Sequence, residues 1–420
     1  MRCLTCGTGE QLGHPGRTTT RKPRAVDSFD EDVQFVQACA GGVHSLLLTK
    51  DGTIFGCGVN EKGVVPVKGL ENGDVTDEFT AIEFSDEINR HGKIVQITAG
   101  ASFAAALTKK GSVIAWGNLR DSQGDFTAHP QFENMQNEPV VIIKHSELKV
   151  VKIAAGENHL VMLTHGGQVL TFGNGFQGQL GRSSRFGNIR KRFLADETGR
   201  RLTVQILFGK KLVKFSDIFA GGNWTILKDT ERHLFGFGLN NFAQLGFEPE
   251  NVSDQSNGAE VKDEGKYCIL WPKHITAFDS DSEWTHISGV VHLALRNERG
   301  EVYTIGKNTD NYLGIGTWTG RDDSEHWRYH TLQRVVFPDG VKIAGVTASM
   351  GCTIAWTEDG KAYSFGFDGS GQLGLGTKDD EEDKVIPTPR LITSAHLDDY
   401  KIDSVSLADQ HAIFLATKRE

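Results

Sequence analysis

One signature returns seven times along this chain, and that recurrence limits the fold more than any other feature. Its clearest copy is "AGGVHSLLLTKDG" at residues 40–52. Weaker copies are "AGASFAAALTKKG" (99–111), "AGENHLVMLTHGG" (155–167), "AGGNWTILKDTER" (220–232), "SGVVHLALRNERG" (288–300), "SMGCTIAWTEDG" (349–360) and "LADQHAIFLATK" (407–418). The spacing is roughly 55 to 68 residues. After each of the first six copies comes an apolar stretch and a glycine turn, as in "QVLTFGNGFQGQLG" or "KAYSFGFDGSGQLG". Alternating apolar residues between closely spaced turns specify antiparallel strands. Each unit holds two well-marked strands with room for two more, and four-stranded units repeated radially make a propeller. The period is too long for the 40 to 45 residues of WD40 blades.

The chain ends set the blade count. The seventh copy lacks a "G-Q-L-G" turn, and the chain opens with one in "CLTCGTGEQLG". Strands from both termini are therefore expected to complete one blade, closing the ring and hiding its edges. The expectation is an all-β, seven-bladed propeller spanning residues 1–420 as a single domain. The glycine-rich stretches then read as turns. A dinucleotide-binding loop needs a helix after its glycines, and no helix is expected there. The recurring histidines His44, His159, His292 and His411 read as structural residues bonding backbone in each blade.

Composition narrows the function classes. The net charge is −9 and 24% of the 420 residues are charged, an ordinary globular composition. There are 49 glycines but only 10 prolines, which suits many tight turns. No apolar run reaches membrane-spanning length, and "MRCLTCGTGEQLG" lacks the apolar core of a secretory signal. Six scattered cysteines do not make a disulfide framework. Cys3 and Cys6 have metal-like spacing without a second pair, so no metal and no cofactor is expected. No nucleophilic triad or phosphate loop is tied to a motif, so bond-making chemistry is not expected.

These repeats resemble the regulator of chromosome condensation family, and the resemblance covers essentially the whole chain. "WGNLRDSQG" (116–124) is similar to the wedge insertion of that family's exchange factors for the small GTPase Ran. "AGENHLVMLTHGGQVLTFGNGFQGQLGR" (155–182) is similar to the blade that follows it. The resemblance implies a nucleotide exchange factor that binds the nucleotide-free GTPase better than the loaded one, an effect that must come from differential affinity. It places a wedge-like insertion at 118–138, with Leu119, Arg120, Asp121, Ser122, Gln123 and Gly124 against the GTPase. Arg182 is expected as a rim arginine suited to a partner carboxylate, and His292 as a further GTPase contact. Three positions depart from the family: Asn158 and Ala101 stand where it carries Asp, and Val291 where it carries a functional His. Glu157 beside Asn158 is the candidate replacement carboxylate, and these two are the candidates for the exchange step. The alternative is a propeller platform that binds a GTPase or chromatin without efficient exchange.

One stretch breaks the acidic average. Residues 182–214 carry ten Lys or Arg against Asp196 and Glu197. A local basic loop is an electrostatic footprint for phosphate backbone. Arg190, Lys191 and Arg192 are the expected DNA contacts, sequence-independent and salt-sensitive. The resemblance implies a chromatin partner, DNA and possibly histones, with a nuclear location, a cytoplasmic fraction and no membrane association. It also implies roles in nucleocytoplasmic transport and in spindle and nuclear envelope assembly. The acidic run "KDDEEDK" (378–384) reads as a solvated loop.

Overall fold

The computed structural model describes residues 1–30, 32–121, 124–125, 130–182, 203–204, 207–208, 211–248, 267–378 and 384–419. Among these it forms seven four-stranded antiparallel sheets arranged as the blades of a β-propeller. Each blade runs from an innermost strand to an outermost one. Blade 1 spans Phe35–Ala81, blade 2 Ile94–Ile143, blade 3 Val150–Val204, blade 4 Phe215–His274, blade 5 Trp284–Arg334 and blade 6 Ile343–Leu391. Blade 7 joins the chain ends: Tyr400–Leu407 and His411–Lys418 supply the inner strands, Arg2–Thr8 and Thr19–Ala25 the outer ones. Arg2 pairs with Ala416 and Gly7 with His411, so the closure is an in-register ladder.

The sequence signature is the second strand of each blade. His44–Thr49, Ser102–Thr108, His159–Thr164 and Cys352–Thr357 are buried along their whole length. Both faces of such a strand touch a neighbouring blade, so it is apolar throughout instead of alternating. The following strand ends on a glycine that no other residue could replace. At Gly173 φ is +106°, and an added Cβ would lie 2.7 Å from the Asn158 carbonyl oxygen. Gly238 repeats this with the Asn223 carbonyl at 2.3 Å. The glycines therefore let the third strand close against the loop between the first two.

The signature histidines are wholly buried, and three of them bond a hydroxyl of the next blade. His159 Nε2 is hydrogen-bonded to Thr225 Oγ1 at 2.9 Å, His292 Nε2 to Thr353 Oγ1 at 2.9 Å, and His411 Nε2 to Ser45 Oγ at 2.8 Å. Blade 1 breaks the series. Ala104 stands at the repeat position that Thr225, Thr353 and Ser45 fill in the other blades, and neither nitrogen of His44 finds a hydrogen-bond partner among the described residues. Burial pushes all four imidazoles down to about 3, so they are neutral in the fold.

Cys3 and Cys6 enter different cores. Cys3 packs with Leu47 and Ile413, Cys6 with Leu373 and Phe414, and burial raises both thiols. No group of three or more potential metal ligands occurs among the described residues. No helix among them is long and apolar enough to cross a membrane.

Candidate partner-binding face

The chain climbs the first strand of each blade, so loops between first and second strands gather at one end of the ring, here the upper end. They surround an axial cavity of about 310 Å³ to which all seven blades contribute. Among the described residues, blade 2 adds a paired hairpin at this end. Arg120–Asp121 pairs with Gly124–Asp125, followed by the helix Pro130–Asn137. The helix buries Phe132 and Met135, and the Phe132 ring lies 5.0 Å from that of Phe172 in blade 3.

The base of the hairpin is fixed from three blades. From blade 3, Asn158 Oδ1 accepts the Arg120 backbone N–H at 2.9 Å, and Asn174 Nδ2 donates to the Arg120 carbonyl at 2.8 Å. Blade 1 supplies Glu61, whose carboxylate pairs with the Arg120 guanidinium and accepts from Ser102 Oγ at 2.7 Å. Its neighbour Lys62 reaches Asp125 Oδ2 at 3.5 Å. Within blade 2, Asn118 Nδ2 donates to Asp125 Oδ1 at 2.7 Å, and Gln136 Nε2 donates to Asn118 Oδ1 at 3.1 Å. The Asn118 hydrogen bond, then Lys62 and Arg120, hold the Asp125 carboxyl below its ordinary range. These contacts fix the base of the hairpin.

The expected contact residues divide. Arg120 and Gly124 stand at the hairpin, and the Asp121 backbone pairs with Gly124. Ser122 and Gln123 lie outside the described residues, as do Arg190, Lys191 and Arg192. Leu119 corrects the expectation. It is 2% exposed and packs with Phe132, Met135 and Phe172, so it anchors the hairpin from below. His292 is a second correction, being wholly buried and committed to Thr353. Arg182 is a third. Its Nε donates to Thr171 Oγ1 at 2.8 Å, a second guanidinium N–H reaches the Thr171 carbonyl, and burial lowers it to about 10. The third strand of blade 3 offers that hydroxyl and carbonyl together, which turns the arginine inward.

Glu157 and Asn158 do different work. Asn158 holds the hairpin; Glu157 lines the axial cavity, where Asn223 Nδ2 donates to Oε2 at 3.4 Å. Burial and the nearby Asp409 raise the Glu157 carboxyl. Ala101 gives its N–H to the Glu157 carbonyl at 2.8 Å and Val291 is half-buried, so neither position brings charge to the rim. Sequence reasoning missed Glu61, Lys62, Asn118, Asp125 and Asn174. The available signal was the asparagine after the third strand. Asn240 and Asn308 use Oδ1 to hold their own loop five residues on, whereas the Asn118 and Asn174 amides reach the hairpin.

Among the described residues the chain is a seven-bladed propeller with a braced hairpin at its upper mouth. The sequence matches the RCC1-like domain family over residues 2–414, and the chain belongs to that family. It is 32% identical to Regulator of chromosome condensation from Xenopus laevis, over 99% of this chain and 90% of that protein. The human protein of the same name is 31% identical, over 99% of this chain and 91% of its own length. Guanine nucleotide exchange factor SRM1 of Saccharomyces cerevisiae is 26% identical, over 94% of this chain and 81% of that protein. The crystal structure of yeast RCC1 (Prp20) bound to Kap60 superposes with a TM-score of 0.82, covering 100% of this chain and 89% of that one, at 23% identity, and shares the fold.

Proposed function

We propose that the upper face receives the small GTPase Ran and that the chain is its guanine nucleotide exchange factor. The observation that carries this is the hairpin at Arg120–Asp125, an insertion whose base three blades hold in place. A base fixed in advance lowers the conformational entropy lost on docking. Binding the nucleotide-free GTPase better than the loaded form displaces the nucleotide by mass action, with no bond made or broken. The curated name of the yeast relative supports this class of activity. Arg120, Asp121, Ser122, Gln123 and Gly124 are assigned to the GTPase, and Asn158 acts through the hairpin. Arg190, Lys191 and Arg192 are assigned to DNA phosphates. The relatives named Regulator of chromosome condensation support a role at chromosomes; a nuclear location and roles in transport, spindle and envelope assembly are part of the same proposal.

A second reading is a docking platform without efficient exchange. It is favoured by Asn158, whose amide is spent on the hairpin where a carboxylate was expected. Release of a fluorescent GDP analogue from Ran in excess GTP separates the two. Acceleration by this protein is the expected result. Ran captured without acceleration establishes the platform.

A further inference from the structure

The hairpin leaves most of the upper face unassigned. A specific partner covers about 800 Å² of each protein, some 20 to 30 residues, and a hairpin of this length supplies only part of that. Further round the ring, at the upper seam of blades 4 and 5, two cations stand side by side. Lys307 and Arg328 are directly paired at the upper ends of the third and fourth strands of blade 5. Both are half-buried. Among the described residues neither forms an ion pair. Like charges directly opposite on adjacent strands repel. The pair is therefore left with an unmet preference for an anion.

Blade 5 departs from the repeat to hold them. Where Lys307 stands, the other blades carry Thr8, Val59, Asn118, Asn174, Leu239 and Phe367, none of them charged. Where Tyr312 stands, four other blades bury a glutamine: Gln11, Gln179, Gln244 and Gln372. The Tyr312 ring centroid lies 5.3 Å from Lys307 Nζ, as does that of Phe242 from blade 4. Phe242 meets Trp327 edge to face at 6.4 Å, and the Arg328 guanidinium is 4.8 Å from the Trp327 centroid. The backbone is fixed as well. The Trp327 carbonyl accepts the Asn308 N–H at 2.7 Å, and the Lys307 N–H donates to the Val291 carbonyl at 3.1 Å. Aromatic faces attract both cations, so their ordering entropy is largely lost before a partner arrives.

We propose that Lys307 and Arg328 take a carboxylate of the GTPase seated on the hairpin, with Phe242, Tyr312 and Trp327 as positioning residues. This rests on the GTPase reading of the upper face. Arginine offers two parallel N–H donors to a carboxylate, and lysine adds a point charge. The surroundings favour a single carboxylate over a polyanion. Residues 309–327, the loop between the two strands, hold Asp310, Asp322, Asp323 and Glu325 against Arg321. Glu157 and Asp409 line the axial cavity on the same face. These acids repel a phosphate backbone but admit a protein surface with one acid in place. Asn118 and Asn174, at the Lys307 position of blades 2 and 3, hold the hairpin. Both contacts therefore rise from the same level of the upper face.

The test uses the full chain and nucleotide-free Ran prepared with EDTA. Binding is followed by biolayer interferometry across a salt series, and GDP-analogue release across a range of Ran concentrations. Variants are Lys307→Met/Arg328→Met, Lys307→Glu/Arg328→Glu, Tyr312→Gln and Tyr312→Phe. We expect the Met pair to weaken binding about 10-fold, with the loss in KM and a shallower salt dependence of association. The Glu pair should lose more. Tyr312→Gln, which restores the residue of the repeat, should cost about 3-fold, and Tyr312→Phe should recover most of that. Among single Asp→Lys and Glu→Lys changes in Ran, one should restore binding by the Glu pair and weaken binding by the parent. Unchanged affinity and salt dependence in both charge variants, at an unchanged denaturation midpoint, would overturn the proposal. So would loss of duplex DNA binding in the Glu pair with Ran binding intact, which would make the cations a phosphate site. No capture of Ran by the parent would refute the GTPase reading itself, and the site with it. Capture without exchange, still dependent on the two cations, leaves the site standing on a docking platform.

Discussion

At its upper end blade 2 inserts a hairpin and a helix into the chain; at its lower end it keeps the turn of every other blade and changes only the side chains. The upper device needs support from three blades, because a projecting backbone must have its polar groups and its direction fixed by something outside itself. Glu61, Asn158 and Asn174 do this. The lower end needs no such support. Its turns are already held by the ladders of the repeat, so Lys109 and Lys110, where blade 6 has Glu358 and Asp359, change the charge of a structural turn without new backbone. A repeat scaffold thus offers two routes to a new surface, one costing new backbone and one costing only charge.

The sharpest way to break this comparison is to remove the hairpin alone. Replacing residues 120–125 by a short Gly-Ser turn should lower kcat/KM for Ran exchange about 100-fold or more, since central contacts at interfaces are worth about 2 kcal/mol or more each. Arg120→Glu should cost about 10-fold. Adding Glu61→Arg should recover part of that, because the pair would be reversed. Unchanged exchange in the hairpin variant would show that the hairpin is not the docking element.

A second test moves to the seams that join both ends. His411→Ala removes a buried ring and its bond to Ser45, and should destabilise by about 2–3 kcal/mol. The chemical-denaturation midpoint reads this directly. Exchange and DNA binding per folded molecule should stay the same, since neither site includes His411 or Ser45.

The repeat, and with it the ring and its closure through both termini, was legible because every blade states the same pattern again. The hairpin position was legible only through resemblance, and its bracing was not. Glu61 and Asn118 are unremarkable in sequence, and only the geometry of adjacent blades brings them to Arg120 and Asp125. Leu119 and His292 were misplaced for a related reason. His292 opens a strand enclosed between two blades, and Leu119 turns down onto Phe132, Met135 and Phe172, so both lie next to surface positions and are themselves buried. The Lys307 cradle escaped notice because Phe242 comes from the preceding blade and no local motif marks it.

A smaller effect of opposite sign is expected at the seam between blades 1 and 2. Blade 2 already places Phe103 where blade 1 has His44, each ring packing on the glycine three residues before it, Gly100 and Gly41. His44→Phe should therefore fit and remove an unsatisfied buried imidazole, a gain of about 1–2 kcal/mol at neutral pH. The pH dependence gives a separate signature. The folded imidazole sits at about 3 against an ordinary 6.5, so the unfolded chain takes up the proton first. That histidine's contribution is intact above 6.5 and is lost as pH falls toward 3, by about 1.4 kcal/mol per pH unit. The variant should flatten the acid side of the stability curve by one proton. An unchanged slope would show that His44 is protonated or solvated in the fold.

The smallest expected effect separates the axial cavity from the hairpin. Burial and Asp409 raise the Glu157 carboxyl, so its charged form is disfavoured in the fold. For a carboxyl whose folded value lies above the unfolded one, the folded chain holds its proton longer. Stability is then lost as pH rises through that window. Glu157→Gln keeps an acceptor and donor for Asn223 and removes the charge. It should raise stability by about 1 kcal/mol or less at pH 8, an advantage that fades as pH falls below the ordinary carboxylate value of 4.5. Exchange should be unaffected, because Asn158 and not Glu157 holds the hairpin. A large loss of exchange in this variant, with stability unchanged, would instead make Glu157 the replacement carboxylate and move the GTPase contact to the mouth of the cavity.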